Sequence, residues 1–149
     1  MSLTEQAKSI AGAFVAARRE KRALASYPGE APSDLDAAYA IQNLALELDG
    51  REVAGWKVGR INGPDDARLG ANRLSGPIFA DSVVDAPSGE VPAMPVFAEG
   101  FAAAEAEFLL HVAAGWNGEV PGDDAGTLAV LDAVHIGICL LYTSPSPRD

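Results

Sequence analysis

Two glutamates in the apolar run at residues 100–113 (GFAAAEAEFLLHVA) are the side chains of this sequence best placed to do chemistry. On a helix, Glu105 and Glu107 would point about 200° apart, but on a strand they share one face, roughly 7 Å apart after two rises of ~3.3 Å. Two ionised carboxylates cannot both lie in a dry core without partners. A divalent cation would resolve that cost, because Mg²⁺ is held by a few carboxylates and keeps positions open for water or substrate. The spacing therefore predicts a metal site, or else a half-exposed strand whose two acids are solvated.

The rest of this strand is expected to have two unlike faces. His111 shares the face of the two acids and is a candidate to support a metal ligand. The opposite face is expected to be buried, because every side chain on it is apolar: Ala102, Ala104, Ala106, Phe108, Leu110 and Val112. The second histidine, His135, lies in another largely apolar stretch and is expected to be a hydrogen-bonded core residue.

A third candidate is Lys57, which lies inside the short apolar stretch at residues 53–59 (VAGWKVG). This stretch is predicted to be a buried strand, where a lysine is unusual. Its ammonium group either reaches water from an edge strand or faces an anion in a cleft. The glycines at positions 55 and 59 allow another backbone or a ligand to approach closely.

Helices and strands must position these groups, and the sequence shows the patterns of both. A first helix is predicted to open at Ser2 or Thr4, and a second runs from the capping-box pattern at residues 33–36 to the turn at residues 49–50. The first helix has one apolar stripe, formed by Ala7, Ile10, Phe14 and Ala17. Shorter elements are expected as a helical turn at 65–69, a strand at 78–84, a loop at 85–95, a helix at 123–131 and a strand at 132–138. This mixture predicts an α+β fold.

Composition and charge exclude several classes of protein. The formal net charge of −10 argues against an electrostatic nucleic-acid binder, which needs a basic face. Charged residues interrupt every apolar run before it reaches membrane-spanning length, and the N-terminus lacks the apolar segment of a signal peptide. A single cysteine allows no internal disulfide. We therefore expect a cytoplasmic protein with no membrane or nucleic-acid partner.

The last eleven residues, 139–149 (CLLYTSPSPRD), differ in composition from the residues before them. Alanine, glycine and valine dominate residues 1–138, whereas this segment is rich in serine, proline and leucine and has no periodicity. It resembles the translation of a transposase-end adapter used to prepare sequencing libraries. We expect these residues to be a non-native tail that interrupts the natural sequence after Ile138.

Six short motifs occur in the order found in a known enzyme family. They are AYAIQ at 38–42, GWKVG at 55–59, LGA at 69–71, GPIFAD at 76–81, AEAEF at 104–108 and DAVHIGI at 132–138. In this order they resemble the 2-keto-4-pentenoate hydratases, which are grouped with 2-oxohept-3-enedioate hydratase and 4-oxalocrotonate decarboxylase in the fumarylacetoacetate hydrolase superfamily. The resemblance covers about residues 3–138, roughly the first half of a typical member.

The resemblance implies a set of site residues. A divalent cation, Mg²⁺ or Mn²⁺, would be held by three carboxylates, two of them from the pair that matches Glu105 and Glu107. The third glutamate of the family closes the strand that resembles residues 132–138, and here that position is Cys139. The family's active-site lysine matches Lys57. Some hydratases carry an acid two residues before the glycine that matches Gly76, whereas this sequence has Leu74 there.

The resemblance also implies a reaction. The cation would chelate the carboxylate and 2-oxo oxygen of a short 2-keto acid and stabilise its enolate. Lys57 would hold the negative charge of the substrate or move a proton. Water would then add to the conjugated alkene. The expected enzyme is a hydro-lyase of aromatic catabolism that acts on 2-hydroxypenta-2,4-dienoate or a close analogue. The alternatives are a decarboxylase or an acylpyruvate hydrolase of the same superfamily, or a non-catalytic fragment that packs against a complete homologue.

The implied organisation has three parts. Residues 1–90 would form an N-terminal helical and small α/β region, 91–138 the start of a mixed β-sheet or β-roll catalytic core that is incomplete at its C-terminal end, and 139–149 the tail. The complete parent would be a homo-oligomer. With only two carboxylates, the present chain is expected to bind the metal weakly and to be inactive.

Overall fold

The structure, a computed structural model, describes residues 3–61, 63–87, 89–97 and 102–141 and has an α+β architecture. The chain divides into two compact units. The first comprises the described residues before position 102, and the second comprises Ala102–Leu141. Within the described residues, no helix has both the length and the apolar character needed to cross a bilayer.

Four helices and four strands make up the described chain, in the order α1 (Leu3–Arg19), α2 (Leu35–Asp49), β1 (Val53–Arg60), α3 (Asp65–Leu69), β2 (Arg73–Phe79), β3 (Ala103–Val112), α4 (Asp124–Ala129) and β4 (Leu131–Leu141). A 3-10 turn at Ala80–Ser82 follows β2. Both sheets are two-stranded and antiparallel, with β1 beside β2 in the first unit and β3 beside β4 in the second.

The core of the first unit lies between α1 and α2. Ile10 and Ala11 of α1 and Ile41 of α2 are buried together, and Phe14 and Leu44 pack against them. Residues three and four apart lie on one face of a helix, so the apolar spacing in both segments directs these side chains to the same contact. The predicted stripe on α1 thus contributes Ile10 and Phe14 to this contact, and Ala11, which is not part of the stripe, is buried beside them.

The ends of α2 are set by local chemistry. Asp34 is the N-cap residue, and its carboxylate accepts a hydrogen bond from the Ala37 N–H at 2.8 Å and another from the Ser33 hydroxyl at 2.8 Å. These bonds, the Ala37 bond first, hold the pKa of Asp34 below its ordinary value. Gly50 ends the helix with φ 72°, a left-handed conformation that glycine adopts without a steric cost. The capping pattern predicted at residues 33–36 therefore begins the helix through Asp34, with Ser33 supporting it.

The strand expected at residues 78–84 is wrong in position. Strand β2 covers Arg73–Phe79, where seven residues pair with β1 from Val53 opposite Phe79 to Arg60 opposite Arg73. After Phe79 the chain turns, and the Ser82 hydroxyl donates to the Phe79 carbonyl at 2.7 Å. Pairing with β1 therefore decides where the strand lies, and the alternating apolar residues after Phe79 do not extend it.

A charged cluster ties the end of α2 to the end of β2. The Arg51 guanidinium donates to both carboxylate oxygens of Asp49, at 2.6 and 3.1 Å, and to Asp81 at 3.2 Å. The same guanidinium lies over the Phe79 ring, 3.9 Å from its centroid. The side chain of Asp49 is only 3% exposed, so its carboxylate is shielded from water, whereas the Arg51 side chain is 33% exposed.

The second unit is a β-hairpin with a short helix in its connection. Strands β3 and β4 pair from Ala103 opposite Leu141 to Val112 opposite Leu131, with one irregularity after His111. Asp123 caps α4 by accepting from the Gly126 N–H at 2.7 Å. Strand β4 continues past the predicted end at Ile138 as far as Leu141, so the first three residues of the expected tail belong to it. Residues 142–149 lie outside the described part of the chain.

Candidate functional site

Glu105 and Glu107 lie on the same face of β3, as their spacing predicts. Burial alternates along the strand from Ala103 to Glu107, and both acids are partly shielded while Ala104 and Ala106 are exposed. Because successive side chains of a strand point to opposite faces, the two carboxylates are neighbours along one face. The structure therefore places the two predicted metal ligands on one face of the strand.

The antiparallel register places Cys139 directly opposite Glu105 and Gly137 directly opposite Glu107. Directly opposed residues share a face of the sheet, with Cβ atoms about 5 Å apart. Position 139 is thus the closest cross-strand neighbour of Glu105. A carboxylate at position 139 would lie beside the other two acids, which is where the family resemblance implies the third ligand.

The donors present in this chain fit a hard cation at only two of those three positions. Mg²⁺ and Mn²⁺ prefer oxygen, whereas the Cys139 sulfur is a soft ligand suited to other metals. Among the residues that the structure describes, no three or more His, Cys, Asp or Glu side chains are grouped so as to hold a metal ion. The face is therefore a partial site, and the residue at position 139 is the part that does not fit.

The two histidines lie near the other end of the hairpin. His111 Nδ1 is hydrogen-bonded to the Asp132 carboxylate, and the His111 and His135 rings meet edge to face with their centroids 6.3 Å apart. His135 is exposed, so its expected place in a core is wrong. The described residues of the second unit form a single two-stranded sheet, so they provide no layer within that unit to bury the ring. His111 shares the face of the acids but is engaged by Asp132, a residue that sequence analysis did not single out.

The apolar back of β3 is not buried, contrary to expectation. Phe108 is 77% exposed, and its cross-strand neighbour Ile136 is 84% exposed. The alternation of side chains along β3 is as predicted, but burial also needs a second layer to cover the face. Alternation in the sequence defines the face, and it cannot show what lies against it.

Lys57 lies in β1 on the more shielded face of the first sheet. Its neighbours along that face are Gly55 and Gly59, and Gly76 of β2 is directly opposite. A Cβ atom added at Gly55 or Gly76 would have no heavy atom within 4 Å, so the space around the lysine stem is open. Gly55 and Gly76 thus leave open space beside the lysine stem, whereas a Cβ atom at Gly59 would lie 3.6 Å from the Leu74 side chain. Sequence analysis noted the glycines within β1, but the position of Gly76 follows only from the strand register.

The predicted site residues belong to different units of the chain. Lys57 is in the first unit, and Glu105 and Glu107 are in the second. The first unit thus contains an amine among glycines, and the second contains a face with two carboxylates.

Comparison of the chain with protein-family models, with curated protein sequences and with solved structures finds no match.

Proposed function

We propose that this chain derives from a metal-dependent hydratase that adds water to a 2-hydroxy-2,4-dienoate of the 2-keto-4-pentenoate type. The observation that carries the proposal is the register of β3 and β4, which sets position 139 opposite Glu105 and beside Glu107. Two acids and a third position on one face match the three-carboxylate arrangement that the motif order implies. The hairpin would then be the start of a larger β-roll in the parent.

The residues of the chain have separate roles in this proposal. Glu105, Glu107 and a glutamate at position 139 would supply oxygen ligands on one face. A divalent cation held there supplies Lewis-acid stabilisation of the negative charge that develops on a 2-oxo acid. Lys57 would bind the carboxylate of the substrate or move a proton at its Nζ atom, in the space that the glycines leave open.

A second candidate, a non-catalytic chain, is favoured for the protein in its present form. Cys139 removes the third oxygen ligand, so we expect weak binding of Mg²⁺ and no turnover. Leu74 also replaces the acid that some hydratases carry, and it lies opposite Gly59 on the face of Lys57. A decarboxylase or an acylpyruvate hydrolase would use the same enolate chemistry, so the acidic face does not separate these activities.

The experiment follows exchange of the C3 protons of 2-oxopent-4-enoate in D₂O by NMR, because this exchange reports enolisation without the complete hydration reaction. We expect no exchange above background with the present chain and Mn²⁺. The Cys139→Glu variant with Mn²⁺ should exchange the protons, and the added change Lys57→Gln should slow that exchange by about 10²-fold or more, the scale of general acid–base catalysis.

The matched control is Leu140→Glu, which adds the same acid one residue further along, on the opposite face of β4. Exchange that appears equally in this control would show that an added charge is sufficient and would contradict the proposal. Exchange in Cys139→Glu that survives unchanged in Lys57→Gln would remove Lys57 from the reaction.

A further inference from the structure

The β3–β4 hairpin has one face made only of apolar side chains, and we call it the apolar face. Its members are Ala104, Ala106, Phe108 and Leu110 of β3, opposite Leu140, Ile138, Ile136 and Val134 of β4. Phe108, Ile136 and Ile138 are each more than 70% exposed. Scattered apolar residues are normal on a protein surface, but a continuous patch of this kind marks an interaction site.

The second unit also lacks a core of its own. Every buried residue in the described chain belongs to the first unit, and no described residue from Ala102 to Leu141 is buried. A two-stranded hairpin is only marginally stable in water unless its apolar face packs against another layer. The apolar face must therefore be covered when the hairpin is stably folded.

We infer that the apolar face of the hairpin binds the same face of a second copy of this chain. Two sheets can pack face to face about 10 Å apart with their side chains interdigitated. Such an interface is isologous, because each copy contributes the same patch. The inference does not depend on the proposed function, since none of the apolar-face residues belongs to the candidate site.

The charge distribution favours this face over others. The chain has a formal net charge of −10, so most surfaces of two copies repel each other. None of the eight side chains on the apolar face is charged. Glu105 and Glu107 lie on the opposite face of the sheet, so pairing of the apolar faces keeps the acids of the two copies on the outside.

The size of the face is sufficient for a dimer. Seven residues at a rise of ~3.3 Å and two strands ~4.8 Å apart give a footprint of about 23 by 10 Å. Five large apolar side chains on it are 59–84% exposed. At about 100 Å² for a fully exposed large side chain, the face presents an apolar accessible area on the order of 500 Å². Two copies would then bury ~1,000 Å² together, the lower limit for a specific interface.

The test is sedimentation velocity of the 149-residue chain between roughly 1 and 200 µM, a range in which dimers with a micromolar Kd dissociate measurably. We expect a monomer–dimer equilibrium. Ile136→Lys should weaken it by about tenfold or more, because the interface would have to bury an ammonium group. The control Val120→Lys changes another highly exposed residue of the second unit, outside both strands, and should leave the equilibrium unchanged.

Cysteine cross-linking tests the same inference without relying on the stability of a lysine variant. Ile136→Cys in a Cys139→Ser background places the thiol near the middle of the apolar face, whereas Cys139 of the unchanged chain is on the opposite face. With diamide as oxidant, the first protein should form covalent dimers much faster than the natural chain. The inference would be overturned if the chain were monomeric at all concentrations, or if Val120→Lys weakened the dimer as much as Ile136→Lys does. Equal rates of cross-linking in the two cysteine proteins would also overturn it.

Discussion

Lys57 has its open surroundings because glycine occupies the positions around it. Gly55 and Gly59 flank it along β1, and Gly76 faces it across the sheet. Any larger residue at position 76 would stand beside the lysine stem, since directly opposed side chains in an antiparallel pair are about 5 Å apart. The access of a small molecule to the Lys57 amine is thus decided by a residue on another strand.

Gly76→Val should shield Lys57 without disturbing the fold. An added Cβ meets no heavy atom within 4 Å, and valine suits a strand. We expect the rate at which acetic anhydride modifies Lys57 to fall about threefold or more, because a branched side chain then stands beside the stem. Peptide mass spectrometry measures that rate, with the exposed Lys8 in the same protein as the internal reference.

The control for this variant is Pro77→Val, because Pro77 is opposite Trp56 and its side chain is on the other face of the sheet. The rate of Lys57 modification should be unchanged there. A fall of the same size in both variants would mean that the substitution acts through the strand as a whole, and the open space at Gly76 would not explain the access.

At the scale of elements, the pair Arg51–Asp49 joins α2 to β2. The guanidinium holds two oxygens of a nearly buried carboxylate while it covers the Phe79 ring. The Arg51 hydrogen bond is the main reason that the pKa of Asp49 is below its ordinary value, although burial opposes the shift. A carboxylate with a lowered pKa stabilises the folded state only while it is ionised.

Asp49→Asn should lower the free energy of unfolding at pH 7 by about 2 kcal/mol, the scale of a shielded hydrogen bond to a charged group. In the natural chain this contribution is complete above the unfolded pKa of about 3.9 and is lost as the pH falls through the lower folded pKa. Urea unfolding at several pH values measures both effects. The natural chain and the variant should converge in stability at the acid end.

The control is Asp81→Asn, which removes the other acid that contacts Arg51. The Asp81 side chain is 60% exposed, so its ion pair is expected to contribute less than about 1 kcal/mol. If Asp49→Asn and Asp81→Asn lowered the free energy of unfolding equally, the shielding of Asp49 would not explain its contribution to stability.

Local patterns predicted most of these elements, and pairing decided the rest. The apolar spacing in α1 and the cap at Asp34 are properties of short segments, so they could be inferred from the sequence. The position of β2 and the end of β4 depend on partners distant in sequence, and both were misplaced. The residues opposite Lys57 and Glu105 are set by the same strand pairing. They cannot be inferred from the short segments of sequence around Lys57 and Glu105.

At the scale of the whole molecule, the two units differ in how they are stabilised. The first has a core between helices, and the second has strands whose apolar face is exposed. An alternating pattern of polar and apolar residues predicts that one face of the sheet is buried. It does not show which part of the protein packs against that face. The expected burial of Phe108 and His135 was wrong for this reason.

We propose that one face of the hairpin, completed by an acid at position 139, binds a divalent cation. Titration of Mn²⁺ followed by EPR measures this binding, with the unchanged chain, Cys139→Glu and Leu140→Glu compared at equal protein concentration. We expect Cys139→Glu to bind one Mn²⁺ about tenfold or more tightly than the unchanged chain, because it adds one oxygen ligand. Leu140→Glu should show no such gain in affinity. A further Glu105→Gln change should abolish the gain of Cys139→Glu. Equal affinities for all three proteins, or a gain that survives Glu105→Gln, would contradict it.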